Sequence, residues 1–233
     1  MMNPARRRLL IIFAALIAAQ SCATRNTLLV EAQGPLAPGA VRLKAEVWAD
    51  NWFAMYLGDS KIAEDSEPIT KERSFNAETF TFDAKYPMEL NFVIKDFIQD
   101  DTGLEYIGKR NQQMGDGGFI MQLTDTATGR LVAVSDSKFH CLVIHKAPLN
   151  PECEKSQTPA SSCRSMILPE PLGWKSPGYD MSAWVPATLY TAKQVGPKGG
   201  YDKIRWNAAA KLIWTSDLKA DNTLLCKVQI PGD

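Results

Sequence analysis

One stretch near the start of the chain alternates between apolar and charged residues at every position, and this pattern limits how the chain can fold. From residue 41 to residue 47 the sequence VRLKAEV places valine, leucine and alanine at odd positions and arginine, lysine and glutamate at even ones. Because successive side chains of a strand point to opposite faces, this alternation predicts a half-buried β-strand. An antiparallel sheet with one solvated face is the usual host of such a strand.

Further segments show the alternation or the short apolar runs of strands, and turn-forming residues separate them. Residues 52–64 are typical of a hairpin that turns at Gly58. Other strands are predicted at 78–82, 88–94, 119–123, 130–134, 139–145 and 224–228. No segment keeps a helical period, and residues 207–212 reach at most a short helical turn. Many short strands with regular turns predict an all-β fold, a sandwich or a barrel.

One long segment, residues 146–186, breaks this pattern. It contains seven prolines, which cannot donate a hydrogen bond inside a sheet. It also contains Cys153 and Cys163, and a disulfide there would supply order that strands do not. We therefore expect an irregular, disulfide-containing loop within one domain that spans residues 26–233, rather than a linker between two domains.

Four cysteines lie in the body of the chain, an even number that suits a compartment in which disulfides persist. Three pairings are open. We favour Cys153 with Cys163, which closes a polar loop, and Cys141 with Cys226, which joins two predicted strands. A zinc site fits less well, because Cys153 and Cys163 are ten residues apart, wider than the usual spacing of zinc ligands.

Residues 1–25 have the pattern of an export leader. Three arginines at 6–8 precede an apolar run of eleven residues, which is followed by small residues around Cys22. The run is shorter than the ~20 residues that a membrane-spanning helix needs. Three fates stay open: lipidation at Cys22 after a lipobox-like sequence, plain secretion, and an uncleaved anchor. We expect an extracytoplasmic protein, secreted or lipid-anchored, that meets the membrane only through such an anchor.

The charges of the chain balance. There are 26 basic and 26 acidic residues, and the isoelectric point is near 6.7. Binding to nucleic acid without regard to sequence requires a clustered excess of lysine and arginine. We therefore expect no nucleic-acid partner.

Three segments together resemble a known family. They are AEVWADNWFAMYLGDSKIAED (45–65), SPGYDMSAWVPAT (176–188) and AKLIWTSDLKADNTLLCKV (210–228). The second resembles the Pro-Gly-Phe-Asp-Asp-Ser-x-Trp signature of galactose-binding-like domains, with Met181 in place of the second aspartate, and the third resembles their closing pair of strands. The resemblance implies an antiparallel jelly-roll β-sandwich. Such domains often serve as non-catalytic sugar-binding or structural modules beside glycoside hydrolases and esterases, and their ligands differ from case to case.

Five residues are candidates for ligand contact. Trp174, in the irregular loop, is expected to offer an exposed aromatic face on which a sugar ring stacks. Asp50 and Asn51, at a corner between strands, are expected to contact a sugar or a calcium ion, and Tyr179 and Asp180, in the second motif, are expected to contact the sugar hydroxyls. The structural alternative is that the aspartates and the asparagine form turns.

Two acidic loops, 99–103 and 114–118, suggest calcium as the one cofactor to consider. They carry Asp100, Asp101 and Asp116, whose carboxylate oxygens are the ligands that calcium prefers. Neither loop has the spaced Asp-x-Asp-x-Asp-Gly pattern, so solvated turns are the alternative. Converging loops would place an ion at one end of the sandwich.

Sequence motifs for catalysis are absent. There is no Gly-x-Ser-x-Gly and no glycine-rich phosphate loop before a helix, and His140 and His145 are predicted on opposite faces of one strand. We predict a non-enzymatic module that binds carbohydrate. Two alternatives remain: a structural or adhesion protein that binds another surface protein, and a glycoside hydrolase or esterase whose paired carboxylates would be brought together only by the fold.

Overall fold

The computed structural model describes residues 34–232; the leader and Cys22 lie outside this range. The strands, in chain order, are β1 (Val41–Asp50), β2 (Trp52–Leu57), β3 (Ser60–Glu64), β4 (Ala77–Ala84), β5 (Met88–Lys95), β6 (Leu104–Glu105), β7 (Gln113–Met114), β8 (Gly118–Asp125), β9 (Leu131–Val134), β10 (His140–Lys146), β11 (Met166–Ile167), β12 (Val185–Pro186), β13 (Thr188–Tyr190), β14 (Leu212–Trp214) and β15 (Asp221–Ile230). Two short helices, α1 (Pro159–Ser162) and α2 (Ala192–Val195), and 3-10 turns at Pro151–Lys155 and Gly199–Lys203 complete the regular structure of this range. None of its helices has the length and apolar character needed to cross a bilayer.

The strands form two large antiparallel sheets. Sheet A has the order β13-β14-β8-β1-β4, with β9 also beside β8. Sheet B has the order β11-β10-β15-β5-β2-β3, with β12 also beside β10. Strands β6 and β7 form a small hairpin in the loop between β5 and β8. The predicted all-β antiparallel sandwich is therefore confirmed, and so are the predicted strands, with boundaries that differ by a few residues.

The core lies between the two sheets. Leu43, Ala45 and Val47 of β1, predicted to face inward, are fully buried, while Val41 and the charged positions 42, 44 and 46 are half-buried. Phe119 of sheet A packs against Phe53 and Phe92 of sheet B, with ring centroids 6.5 Å and 5.4 Å apart. Burial of these facing apolar side chains is the main contribution that holds the sheets together.

Irregular chain covers the outer faces of both sheets. On sheet B the segment 168–184 packs Trp174 and Trp184 over Ala54, Val93 and Leu225. On sheet A the segment between β13 and β14 covers the face formed by strands β1 and β8. Its contacts with that face involve Val195, Tyr201, Trp206, Trp48 and Ile120. Both faces of each sheet are thus partly withdrawn from solvent.

Two disulfides form with the expected pairing. Cys141 in β10 lies directly opposite Cys226 in β15, with their Cα atoms 4.2 Å apart. We call this bond the cross-strand disulfide. Cys153 and Cys163 form the loop disulfide, with their Cα atoms 5.3 Å apart, and it closes the turn that contains α1. The loop of residues 146–186 is irregular as predicted, with only short helical turns and two-residue strands.

Several strand ends meet at one end of the sandwich. The last residue of β1, Asp50, pairs with Gly118 at the start of β8. The last residue of β5, Lys95, pairs with Trp52 on one side and with Thr223 on the other. Residues that enter or leave these five strands are therefore neighbours in space, although many of them are far apart in the sequence.

Candidate functional site

Trp174 lies inside the loop that covers sheet B, so the predicted exposed platform is wrong. The residue is only 2% exposed. Its indole N–H donates to Glu170 Oε2 at 2.9 Å, and the ring of Trp184 packs at 5.9 Å between centroids. Lys227 Nζ also donates to its carbonyl oxygen at 2.7 Å. Because the outer face of sheet B is apolar, Trp174 is used to cover that face rather than to present a ring to solvent.

Asp180 and Tyr179 also have structural contacts. Asp180 Oδ1 accepts from the Ser182 N–H at 2.9 Å, and Asp180 Oδ2 accepts from the Ser182 hydroxyl at 3.2 Å. Asp180 therefore forms a turn with Ser182, as the structural alternative predicts. Tyr179 is half-buried and packs edge-to-face on Trp184, with centroids 6.0 Å apart.

An open cleft of about 420 Å³ lies on the outer face of sheet A. Strands β8 and β9 form its floor, and residues 205–208 form its wall. The polar and aromatic groups of its lining come from Gln122, Thr124, Arg205, Trp206 and Asn207. We call it the Trp206 cleft.

Contacts within the wall hold the Trp206 cleft in shape. The Trp206 indole N–H donates to the Tyr201 carbonyl oxygen at 3.0 Å, and the two rings pack at 5.8 Å between centroids. Gln122 joins the wall to the floor, because its Oε1 accepts from the Asn207 N–H at 2.7 Å. The indole is partly buried, while the side chains of Arg205 and Asn207 are exposed. The cleft therefore combines a fixed ring with polar groups that solvent can reach.

A second group of polar side chains lies at the end of the sandwich where β1, β5 and β8 meet. Asp50 and Asp96 are 1% and 0% exposed, and neither carboxylate has a hydrogen-bond partner among the described residues. Asn51 joins the two strands: its N–H donates to the Lys95 carbonyl oxygen at 2.8 Å, and its Oδ1 accepts from the Phe97 N–H at 2.6 Å. The predicted sugar contact of Asp50 and Asn51 is wrong, because both side chains are sealed inside the protein.

The loop before β8 closes over this pair. A Cβ atom on Gly115 would overlap Asp96 Oδ2, so the carboxylate rests against glycine backbone. The next residue, Asp116, pairs with Lys198, with 3.5 Å between Oδ2 and Nζ. Glu105, in β6, is buried on the same loop. We call Asp50, Asp96, Glu105 and Asp116 the carboxylate cluster.

The carboxylate cluster has a deficit of positive charge. Burial raises the pKa of Asp50 and Asp96 well above the usual range, and repulsion from the other carboxylates of the cluster adds to both shifts. Burial also raises the pKa of Asp116, and it raises the pKa of Glu105 to about 7. Lys198 opposes the rise at Asp50, Glu105 and Asp116. Lys219 also opposes the rise at Asp116, so two lysines stand against four carboxylates.

Of the three predicted calcium ligands, only Asp116 belongs to this cluster. Asp100 is exposed, and its Oδ1 accepts from the Thr102 N–H at 2.9 Å, which forms a turn. Asp101 is exposed as well, and its carbonyl oxygen lies 3.4 Å from His145 Nε2. The structure therefore does not bring the three together. Within residues 34–232, no group of three or more histidine, cysteine, aspartate or glutamate side chains is arranged to hold a metal ion.

Three important residues escaped the sequence reasoning. Asp96 directly follows an alternating strand, a position at which an aspartate normally indicates a solvated turn. Glu105 lies in a polar loop with no periodicity. Trp206 lies outside every alternating segment and between a charged and a polar residue, which is the one local signal that could have indicated a surface aromatic residue.

Comparisons of the chain with family models, with curated proteins and with solved structures find no significant match.

Proposed function

We propose that this chain is a non-catalytic binding module of the cell exterior, and that it binds carbohydrate in the Trp206 cleft. The observation that carries the proposal is the lining of the cleft, which sets a fixed indole beside amide, hydroxyl and guanidinium groups. The CH groups of a sugar ring pack on an aromatic face, and its hydroxyls need polar partners of this kind. The volume of about 420 Å³ lies within the range of small-molecule sites and suits one or two sugar units.

The disulfides support the proposed location. Two disulfides in a chain of this size indicate an oxidising, extracytoplasmic environment. Secretion, or a lipid anchor at Cys22, would place the Trp206 cleft where surface or extracellular glycans occur. Sugar binding at a shallow site is weak, so an anchored or multivalent arrangement would add to the overall affinity.

The carboxylates argue for binding rather than for hydrolysis. Glycoside hydrolases need one protonated and one ionised carboxyl group on either side of the scissile bond. In the carboxylate cluster all four pKa values are raised, in the same direction. Asp50 and Asp96 are also closed to solvent, so a sugar cannot reach them.

A second candidate function is adhesion to another surface protein, and exposed apolar residues favour it. Ile167 in β11 and Val185 in β12 both lie on strands that pair with β10, and they are 54% and 51% exposed. Leu168, next to Ile167, is 43% exposed. Exposed apolar residues that lie close together are typical of protein-binding surfaces.

A glycan-array screen of the oxidised protein tests the proposal, followed by titration of any hit. Trp206→Ala should weaken binding by about 10-fold or more, because it removes the stacking surface. Arg205→Ala should weaken it about 3- to 10-fold and should leave the packing of Trp206 on Tyr201 intact. Trp52→Ala, a partly buried tryptophan on sheet B, is the matched control and should bind like the wild type.

The results separate the candidate functions. Loss of binding in the two cleft variants, with unchanged circular dichroism, supports carbohydrate recognition by the Trp206 cleft. A folded sample that binds no glycan, or binding that neither cleft variant alters, overturns the proposal. In the first of these cases Ile167→Ser and Val185→Ser, tested against surface proteins of the source cell, would examine adhesion instead.

A further inference from the structure

Asp50 and Asp96 present four carboxylate oxygens that meet neither solvent nor a hydrogen-bond donor. Such atoms are rare in folded proteins, because an unpartnered buried carboxylate loses its hydration and gains nothing in return. The Phe97 N–H opposes the rise in the pKa of Asp96 but donates its hydrogen bond to Asn51 Oδ1. Asn222 is fully buried, and its side-chain oxygen has no partner either. The Asp96 N–H donates to the Asn222 carbonyl oxygen at 2.9 Å, so the backbone of Asn222 lies beside Asp96.

Protonation alone leaves this arrangement incomplete. A proton shared between the two groups would satisfy at most two of their four oxygens, and none of the four accepts a hydrogen bond from a donor in the described chain. Each carboxyl would then still carry an unsatisfied buried group. A cation between the two carboxylates would satisfy their oxygens together and would also reduce the repulsion within the cluster.

The size and chemistry of the site favour an ion over an organic ligand. Exposures of 1% and 0% leave no opening through which a sugar or peptide could reach the oxygens. The available ligands are all oxygens, which are the ligands of hard divalent cations. Calcium tolerates irregular geometry and completes its shell with backbone oxygens and water, whereas magnesium requires a near-ideal octahedron.

We propose that Asp50 and Asp96 bind a calcium ion at this end of the sandwich, with Glu105 and Asp116 as flanking charges. The ion would join the end of β1 to the end of β5 and fix the loop that carries Gly115. Because few protein ligands are fixed in advance, we expect an affinity typical of extracellular calcium modules, a dissociation constant on the order of 10⁻⁴ M. The proposal does not rest on the Trp206 cleft, which lies on the outer face of sheet A.

Thermal unfolding with and without calcium tests the proposal. At a calcium concentration of about a hundred times the dissociation constant, the melting temperature of the oxidised wild type should rise by about 5 °C or more over its value in EDTA. Magnesium should give a smaller shift. Asp50→Asn and Asp96→Asn should abolish the calcium shift. In EDTA these variants should melt no lower than the wild type, because an amide replaces a buried carboxyl group that has no hydrogen-bond partner.

Two control variants locate the effect. Asp100→Asn changes an exposed carboxylate of the loop between β5 and β8, and Asp65→Asn changes a buried carboxylate outside the cluster. Both should keep the full calcium shift. Should the Asp50 or Asp96 variants fail to fold, terbium luminescence of the wild type provides a second measurement. The Trp214 ring lies against Gly117, next to Asp116, and should sensitise terbium bound at the cluster.

Terbium emission that calcium displaces supports the proposal. A wild type with neither a calcium shift nor sensitised terbium emission overturns it. So does a calcium shift that persists in both Asn variants or disappears in Asp100→Asn. Carbohydrate binding that survives EDTA is compatible with the ion site, so a failure of one proposal is distinguishable from a failure of the other.

Discussion

Asp65 should make the stability of this protein fall as the pH rises from acid to neutral. The residue follows β3 and is 5% exposed, and burial raises its pKa from 3.8 to about 7. The Glu67 N–H donates to its Oδ1 at 2.9 Å, and the Asn76 amide opposes the rise, while Glu78 and Glu67 add repulsion. Oδ2 is buried without a hydrogen-bond partner. The folded state therefore favours the protonated form.

The sign and size of this pH dependence follow from proton linkage. Between the unfolded and the folded pKa the folded state binds more protons than the unfolded chain, so the free energy of unfolding decreases with increasing pH and levels off above about 7. A difference of about three pKa units corresponds to at most ~4 kcal/mol. Because solvent still screens part of the carboxylate, we expect about half of that, ~2 kcal/mol, to appear.

The test compares urea unfolding of the wild type and Asp65→Asn. An asparagine keeps the oxygen that accepts from Glu67 and cannot ionise in this range. Between about pH 4.5 and about pH 8 the free energy of unfolding of the wild type should fall by ~2 kcal/mol relative to that of the variant. Glu105 also has a raised pKa, but it is present in both proteins and cancels in the difference. Asp59→Asn, at an exposed turn, controls for loss of a negative charge.

Parallel stability profiles for the wild type and Asp65→Asn would refute the reasoning. They would mean that Asp65 is ionised at low cost in the folded protein, through a partner other than Glu67. If Asp65→Asn were less stable than the wild type by a larger margin at high pH than at low pH, the sign of the effect would be reversed and the reasoning would also be refuted.

Two further predictions concern the covering loop and the disulfides. Lys227→Met should lower the free energy of unfolding by ~3 kcal/mol, because the Glu89 carboxylate, 2.7 Å from the Lys227 Nζ, loses its buried partner. Urea unfolding measures this loss, and the double variant with Glu89→Gln should recover part of it. Replacing the two cysteines of one disulfide by alanine should lower the free energy of unfolding by ~5 kcal/mol for the cross-strand disulfide and by ~3 kcal/mol for the loop disulfide. The bonds close loops with sequence separations of 85 and 10 residues, and equal losses in calorimetry would contradict this entropy argument.

The strands of this fold were predictable from the sequence because their signal is local. The alternation of residues 41–47 predicts β1 without reference to any other part of the chain, and β1 begins at Val41 as expected. It continues to Asp50, beyond the alternation, because Trp48 to Asp50 still find hydrogen-bonding partners in β8. The end of a strand thus depends on its neighbours, while its existence does not.

The cysteine pairs were predictable in part. Cys141 and Cys226 lie in two segments that the sequence predicts as strands and that could pair, and the short spacing of Cys153 and Cys163 favours a local bond. Register within sheet B then places Cys141 opposite Cys226, and that register is a property of the whole sheet.

The candidate sites were decided by the tertiary structure. Trp174 and Trp206 both lie in irregular segments beside a charged residue, so this local signal does not show which of the two is buried. One covers the apolar face of sheet B and is buried, whereas the other borders an open cleft on sheet A. Asp50 and Asp96 are far apart in the chain and become neighbours because β1 and β5 end at the same edge of the sandwich. Alternation along a strand is set by backbone geometry within a few residues, but exposure of a ring and proximity of two carboxylates are set by which segments pack together.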